Sequence, residues 1–380
     1  VIRNAKEGGT GIEKQTVSHT QMGVLFFVFM TGSSIINIPG PLIGKAGNSA
    51  WISLLISGGL GMCLLWCMLS MNRKFPGMTF VEYSRKLMGT ALTAVFSAIT
   101  ISFLFHMLSG IVVDVGLFMI SSMLRETPMY AFTFPVFMVA ALTARAGLEV
   151  MVRMFTLIMF LTAFFLAFVL LLGIPDYDPS LLLPIFPEGI KPTLHGAYIT
   201  FGFPYVEVFL FTMLLPFVNK SLSGKLPATM IGVLILNILT LSVSTICSIM
   251  IYGPFAGEKQ YVLFALARII EFQEIIQRIE SIIGMSLILG SYMKATITLF
   301  VLSLYISQLI GIKDYRILVM PLALLGFLTG LVNFDGALDW AGRISVVHTV
   351  WGAAGFAVPL IILYIISLFK KKGQTKEQQT

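Results

Sequence analysis

The chain has 380 residues, 57% of them hydrophobic and 11% charged, with a net charge of +7 and a mean hydropathy of +0.92. That balance excludes a soluble globular domain, and the dispersed basic residues, with no aromatic-interleaved basic stripe, exclude nucleic acid as a partner. Apolar runs of roughly 20 residues, enough for ~30 Å of hydrocarbon, recur from end to end. The expected class is therefore an all-α polytopic protein held in the lipid bilayer as a single membrane domain over residues 1–380.

Residues 1–17 read as a cytoplasmic N-terminal segment of mixed charge (Arg3, Lys6, Glu7, Glu13, Lys14), followed by a first span without a small-residue cleavage site. Ten transmembrane helices are predicted, at 18–44, 49–71, 91–122, 128–146, 149–173, 194–218, 226–252, 277–309, 315–332 and 343–369, leaving 370–380 as a tail. Between spans two and three, TFVEYSRKLMG (79–89) reads as an amphipathic cytoplasmic helix. PDYDPSLLLPIFPEGIKP (175–192), with five prolines, reads as an ordered external cover, and EKQYVLFALARIIEFQEIIQ (258–277) as a short external helix.

Most Lys and Arg fall in alternate connections, including Arg73, Lys74, Arg85, Lys86 and the tail Lys370, Lys371, Lys372 and Lys376. The opposite connections hold only Lys45, Arg125, Lys191, Lys259, Arg268, Arg278 and Arg343, so both termini are expected in the cytoplasm. Cys63, Cys67 and Cys247 lie in apolar spans with no His or carboxylate at ligand spacing, and read as packing residues rather than a disulfide or metal set. No metal and no cofactor is expected. SGGLGM (57–62) is no nucleotide loop, since no strand precedes it, and Gly326 with Gly330 reads as a helix-packing face.

Span one is interrupted by TGSSIINIPGP (31–41), and span six by Gly202 and Pro204 within AYITFGFPYVEVFLF (197–211). Breaks at corresponding positions of two five-span halves, 18–173 and 194–369, point to a 5+5 inverted repeat of the leucine-transporter type with a ligand site between helices 1 and 6. Unwound backbone at membrane depth is tolerated only where protein, water or a ligand satisfies it. The half-helix N-termini beyond the breaks, near Ser34–Ile35 and Tyr205–Glu207, suit a carboxylate, and the carbonyl ends before them suit an ammonium. The candidate ligand-binding residues are Thr31, Gly32, Ser33, Ser34, Asp114, Gly202, Phe203, Pro204, Tyr205 and Glu207.

Ionisable groups inside spans cost at least ~2.5–3.5 kcal/mol at the helix centre, so the few present are functional candidates. Asp114 lies in span three and Glu207 beyond the second break, while Lys294 in span eight shares a stripe with Ser291, Thr298 and Tyr305. Two roles are open for Lys294: a resident ammonium replacing a bound cation beside the first break, or a partner of Asp114 or Glu207 that couples helices. His106 and His348 read as hydrogen-bonded core or interface residues.

The succession PGPLIGKAGNSAWIS (39–53), FPGMTFVEYSRKLMG (75–89), RETPMY (125–130), AGLEVMVRM (146–154), PDYDPSLLLPIFPEG (175–189), FGFPYVEVFLFTMLLPFVNK (201–220), RIESI (278–282) and KDYRILVMPL (313–322) resembles the endospore germination permease family. These are B subunits of spore germinant receptors, within the amino acid–polyamine–organocation transporter superfamily. The resemblance covers nearly the whole chain. It implies the ten-helix leucine-transporter fold, residence in the spore inner membrane, germinant receptor A and C subunits as partners, and a small nutrient, an amino acid or sugar, held at the breaks. By motif it places Gly32 at the family's first-break glycine, Glu207 at its acidic residue after the second break and Lys294 at its basic position in span eight; Ser33 and Ser34 depart from the family's usual glycine, small residue, glycine pattern.

The expected function is nutrient sensing that triggers germination, with a proton-coupled amino-acid transporter as the alternative. An enzyme is not expected, because no nucleophile–base pair, metal spacing or phosphate loop is present.

Overall fold

The computed structural model describes residues 16–219, 224–269, 279–333, 342 and 344–377. Within them eight helical segments are long and apolar enough to cross a membrane: His19–Asn37, Pro39–Lys74, Phe80–Met123, Leu148–Leu172, Leu226–Glu258, Glu280–Ile310, Arg316–Asn333 and Val346–Phe369. A shorter apolar helix covers Tyr130–Ala146. The chain is an all-helical integral membrane protein, and among the described residues its one strand-like pairing is the parallel bridge between Val17 and Val218.

In chain order the helices are α1 (His19–Thr31), α2 (Ser34–Asn37), α3 (Pro39–Ala46), α4 (Ala50–Lys74), α5 (Phe80–Phe118), α6 (Tyr130–Ala146), α7 (Leu148–Leu172), α8 (Lys191–Gly202), α9 (Leu226–Tyr252), α10 (Val262–Ile269), α11 (Glu280–Ile310), α12 (Arg316–Asn333), α13 (Thr349–Gly352) and α14 (Val358–Glu377). Predicted span six is interrupted most deeply: α8 stops after 12 residues and a 3-10 segment, Tyr205–Thr212, follows. Of the predicted external helix at 258–277, the described residues include Val262–Ile269 as α10. A 3-10 turn at Gly253–Glu258 leads into α10, and residues 270–278 lie outside the described residues.

Local chemistry sets the helix ends. Ser18 and Gln21 form a reciprocal capping box at the start of α1, as Thr79 and Glu82 do for α5. The predicted amphipathic helix is the first part of α5, set off from the rest by Gly89 at φ 82°, a conformation that favours glycine. It is tied to the far end of α11 by Thr79 Oγ1 donating to Gln308 Oε1 (2.6 Å) and Arg85 Nη2 donating to the Leu309 carbonyl (2.6 Å).

Burial separates a centre from a perimeter. In the most apolar stretch of α11 89% of residues are buried inside the protein, and in that of α5 83%, whereas for α7 the figure is 11%. Helix α7 therefore turns its Leu, Phe and Ile side chains to lipid, and α5 and α11 are the buried pillars; α1 packs on α9, α7 and α11, and the 3-10 segment packs chiefly on α4. Gly326 and Gly330 of α12 do form a packing face: a Cβ on Gly326 would meet the Phe137 ring of α6 at 3.0 Å, and one on Gly330 would meet Val113 of α5 at 2.9 Å.

Candidate functional site between the two helix breaks

The first break is shallow. Gly32 (φ −41°, ψ −73°) and Ser33 (φ −83°, ψ −25°) keep right-handed dihedrals, and the helix resumes at Ser34 and again at Pro39. Gly32 is needed there for packing. A Cβ would lie 2.8 Å from the Gly290 carbonyl oxygen of α11, and Gly290 in turn rests on the Gly32 carbonyl, so two glycines let α1 and α11 touch through their backbones. Thr31 points elsewhere, its Oγ1 accepting from Asn237 Nδ2 of α9 (2.9 Å).

The second break is deep. Helix α8 ends at Gly202, Phe203 is extended (φ −144°, ψ 112°), the Phe203–Pro204 peptide is cis, and the 3-10 segment begins at Tyr205. Its first turn carries Glu207, whose carboxylate lies 2.5 Å from the Lys294 ammonium of α11, both side chains being fully buried. The ammonium also sits 4.1 Å from the centre of the Phe203 ring and 5.1 Å from that of Phe29, two aromatic faces that attract a cation. The ion pair that Lys294 makes among the described residues is the one with Glu207.

On the other side of Glu207, His348 Nε2 stands 3.8 Å from Oε1. His348 projects from a π-helical turn, Ile344–His348, an irregularity that re-aims side chains and recurs at functional sites. Its ring lies 5.6 Å from that of His106, which stacks on Trp351 at 4.9 Å.

Asp114 of α5 makes no ion pair with Lys294 among the described residues, although the two charges act on each other. Asn37 Nδ2 donates to Oδ2 (2.5 Å) and the Tyr261 hydroxyl donates to Oδ1 (3.1 Å), which ties the end of the first break, α5 and the turn before α10 together. Burial first, and the Asp114 charge second, hold the Tyr261 phenol well above its ordinary range, so it stays a donor.

These groups enclose a cavity of about 30 Å³ lined by Ser33, Asn37, His106, Met107, Gly110, Ile111, Asp114, Phe203, Glu207 and His348. Of the predicted ligand-binding residues, Ser33, Asp114, Phe203 and Glu207 are brought together here. Thr31 and Gly32 instead line a separate apolar cavity of about 360 Å³ beside α7 and α9, and Ser34, Gly202, Pro204 and Tyr205 line neither. Gly202 packs against Thr349, whose Cα would be 2.7 Å from a Cβ at that position. On α11, Thr298 Oγ1 donates to the Lys294 carbonyl (2.9 Å), while Ser291 is buried without a hydrogen bond from its hydroxyl among the described residues.

Sequence reasoning missed Asn37, Tyr261 and the placement of both histidines at the cavity. Asn37 carried a usable signal, an amide one turn beyond Ser33 in an otherwise apolar stretch. Tyr261 carried none, because nothing in its neighbours shows that the turn dips into the bundle.

With the geometry in place, three comparisons bear on it. The family described as spore germination protein matches residues 16–333. Spore germination protein KB of Bacillus subtilis (strain 168) is 26% identical over 376 residues, covering 97% of this chain and 98% of its own length. Spore germination protein YndE of the same strain is 24% identical over 366 residues, covering 94% and 98%. Among solved structures, MHP1, a nucleobase-cation-symport-1 family transporter closed with bromovinylhydantoin bound, superposes with a TM-score of 0.69 at 11% identity over 93% of this chain and 78% of its own. A Na+-coupled sialic acid symporter in a substrate-bound outward-open state gives 0.66 at 11% identity over 90% and 78%, and MhsT in complex with L-phenylalanine gives 0.63 at 15% over 93% and 99%. The fold is therefore the leucine-transporter type, with helices 1 and 6 interrupted.

Proposed function

The chain belongs to the spore germination protein family, and from that premise we propose that it is the nutrient-sensing membrane subunit of a spore germinant receptor. In this reading a small ligand, an amino acid in first place, enters the cavity between the two breaks. The resulting shift in helix packing is passed to A and C subunits in the spore inner membrane, with both termini on the core side. No covalent step is involved, in keeping with a family and fold of permeases.

The observation that carries the reading is the buried Glu207–Lys294 pair. It binds the loosened 3-10 segment to the pillar α11, and Glu207 also lines the cavity, so a ligand that engages Glu207 competes for the contact that holds the segment in place. A charged pair fully removed from water is stable only while its geometry is kept, which makes it a two-state element rather than a graded one.

The test is thermal unfolding of the purified chain against a panel of amino acids and sugars, joined to germination assays of Lys294→Gln and Lys294→Arg. Stabilisation by at least one nutrient, with Lys294→Gln more damaging than Lys294→Arg, supports the reading; no stabilisation and equal activity of both variants would sink it. A second reading, proton-coupled amino-acid transport, is favoured by the gathering of Asp114, Glu207, His106 and His348 on one cavity in a transporter fold. Robust uptake of radiolabelled amino acid into vesicles under a proton gradient would select it over sensing alone.

A further inference from the structure

The charges around the cavity do not balance, and the imbalance has a sign. Glu207 is matched by Lys294 at 2.5 Å, but Asp114, 1% exposed, has no Lys, Arg or His within 4 Å among the described residues. Its two partners, Asn37 Nδ2 and the Tyr261 hydroxyl, are neutral donors. Because the Asn37 amide turns its nitrogen to the carboxylate, its oxygen is committed the other way, and Oδ1 is a buried acceptor with no hydrogen bond among the described residues. A buried acceptor left unpaired is destabilising, so this wall of the cavity is short of donors.

Lys294 acts on Asp114 only through its charge. Its ion pair is with Glu207, it lies over the Phe203 and Phe29 rings, and it is not among the residues lining the cavity, so one ammonium stands against two carboxylates. The groups facing Asp114 from the elements around it are Asn37 from α2, His106 from its own helix, Tyr261 from the turn before α10, Glu207 from the 3-10 segment and His348 from the π turn. A ligand carboxylate placed there would meet two carboxylates and no ammonium in the cavity lining.

We propose that Asp114, with Asn37 on the same cavity lining, forms an ammonium subsite, so that the chain recognises primary-amine ligands through their cationic end. The inference rests on the ligand-binding reading above and adds the chemical class of ligand and the end by which it is held. Size agrees: a cavity of about 30 Å³ holds two or so groups of water size at ~10–15 Å³ each, which admits an ammonium head but not a whole amino acid. The rest of the ligand requires the walls to part at Phe203 and Glu207, the residues that flank the deep break.

The purified full chain in detergent is tested by thermal unfolding with matched pairs that differ only at the amine: L-alanine against L-lactate, and L-valine and L-leucine against their 2-hydroxy acids. Methylammonium chloride is run as a bare head-group probe, and every ligand is repeated on Asp114→Asn. The expected result is that at least one amino acid stabilises the wild-type chain, that its hydroxy acid does so at least tenfold more weakly, and that Asp114→Asn loses at least tenfold in amino-acid affinity. A hydroxy acid that binds as tightly as its amino acid, or an Asp114→Asn chain that binds the amino acid unchanged, overturns the ammonium subsite and leaves nutrient sensing standing. Stabilisation by methylammonium that depends on Asp114, with no response to any nutrient, keeps the subsite and removes the nutrient reading. No response to any of these compounds removes both. If Asp114→Asn does not fold, the amino-acid and hydroxy-acid pairs on the wild-type chain decide alone.

Discussion

The two breaks, which look alike in the sequence, are closed by different physics. At the first, Gly32 and Ser33 stay in right-handed conformations and the gap is filled by backbone contact between Gly32 and Gly290, with Thr31 anchored on Asn237. At the second, Phe203 is extended, the helix gives way to a 3-10 segment, and a buried ion pair holds that segment to α11. Close packing has one good arrangement and degrades steeply from it. A buried ion pair gives way only where a new partner replaces the charge that is lost. In the proposed sensing role the first break would serve as a fixed wall and the second as the part that moves, and both contribute residues to the same cavity.

The largest expected effect tests that contrast at the second break. Lys294→Met leaves Glu207 charged and alone in the interior, so the chain should lose about 3–5 kcal/mol. Thermal unfolding in detergent reads this, and the double variant Lys294→Met with Glu207→Leu should recover most of the loss while germination stays abolished. Full function in the double variant would mean that the pair only locks helices. At the first break Gly32→Ala forces a methyl against the Gly290 carbonyl, with an expected cost of about 1–3 kcal/mol that Gly290→Ala should reproduce. Wild-type stability in both variants would show that this wall is not tightly packed.

A smaller effect separates the two serines. Ser33 lines the cavity and Ser34 does not, so Ser33→Ala should weaken nutrient affinity by about 0.5–1.5 kcal/mol in a binding titration while Ser34→Ala leaves it unchanged. The reverse order would mean that the first break turns its other face to the ligand. The smallest effect belongs to Asn237→Ala, which removes the bond to Thr31; a loss of about 1 kcal/mol or less in stability, with affinity intact, fits a purely structural wall.

How much of this was legible in the chain differs by kind of feature. The spans were legible because hydrocarbon requires long apolar runs, and the breaks because Gly32 and the Gly202–Pro204 stretch defy that requirement. The amphipathic helix at 79–89 was legible too, ending where Gly89 turns. What could not be read was depth. The same Gly and Ser residues that suggested an unwound first break turn out to keep helical dihedrals, and Gly290 on a distant helix fills the space a side chain at Gly32 would have taken.

The sequence by itself determined that this is a polytopic helical membrane protein, that its first and sixth spans are interrupted, and that Asp114, Glu207 and Lys294 are the costly charges in it. Only the tertiary structure decided which charge meets which. It paired Lys294 with Glu207, gave Asp114 the neutral donors Asn37 and Tyr261, and brought His348 and His106 to the cavity. The physical reason is distance along the chain: Asn37 and Asp114 are 77 positions apart, and Tyr261 and Asp114 147. Periodicity reports the face of one helix, whereas the partner across that face is set by how separate helices pack.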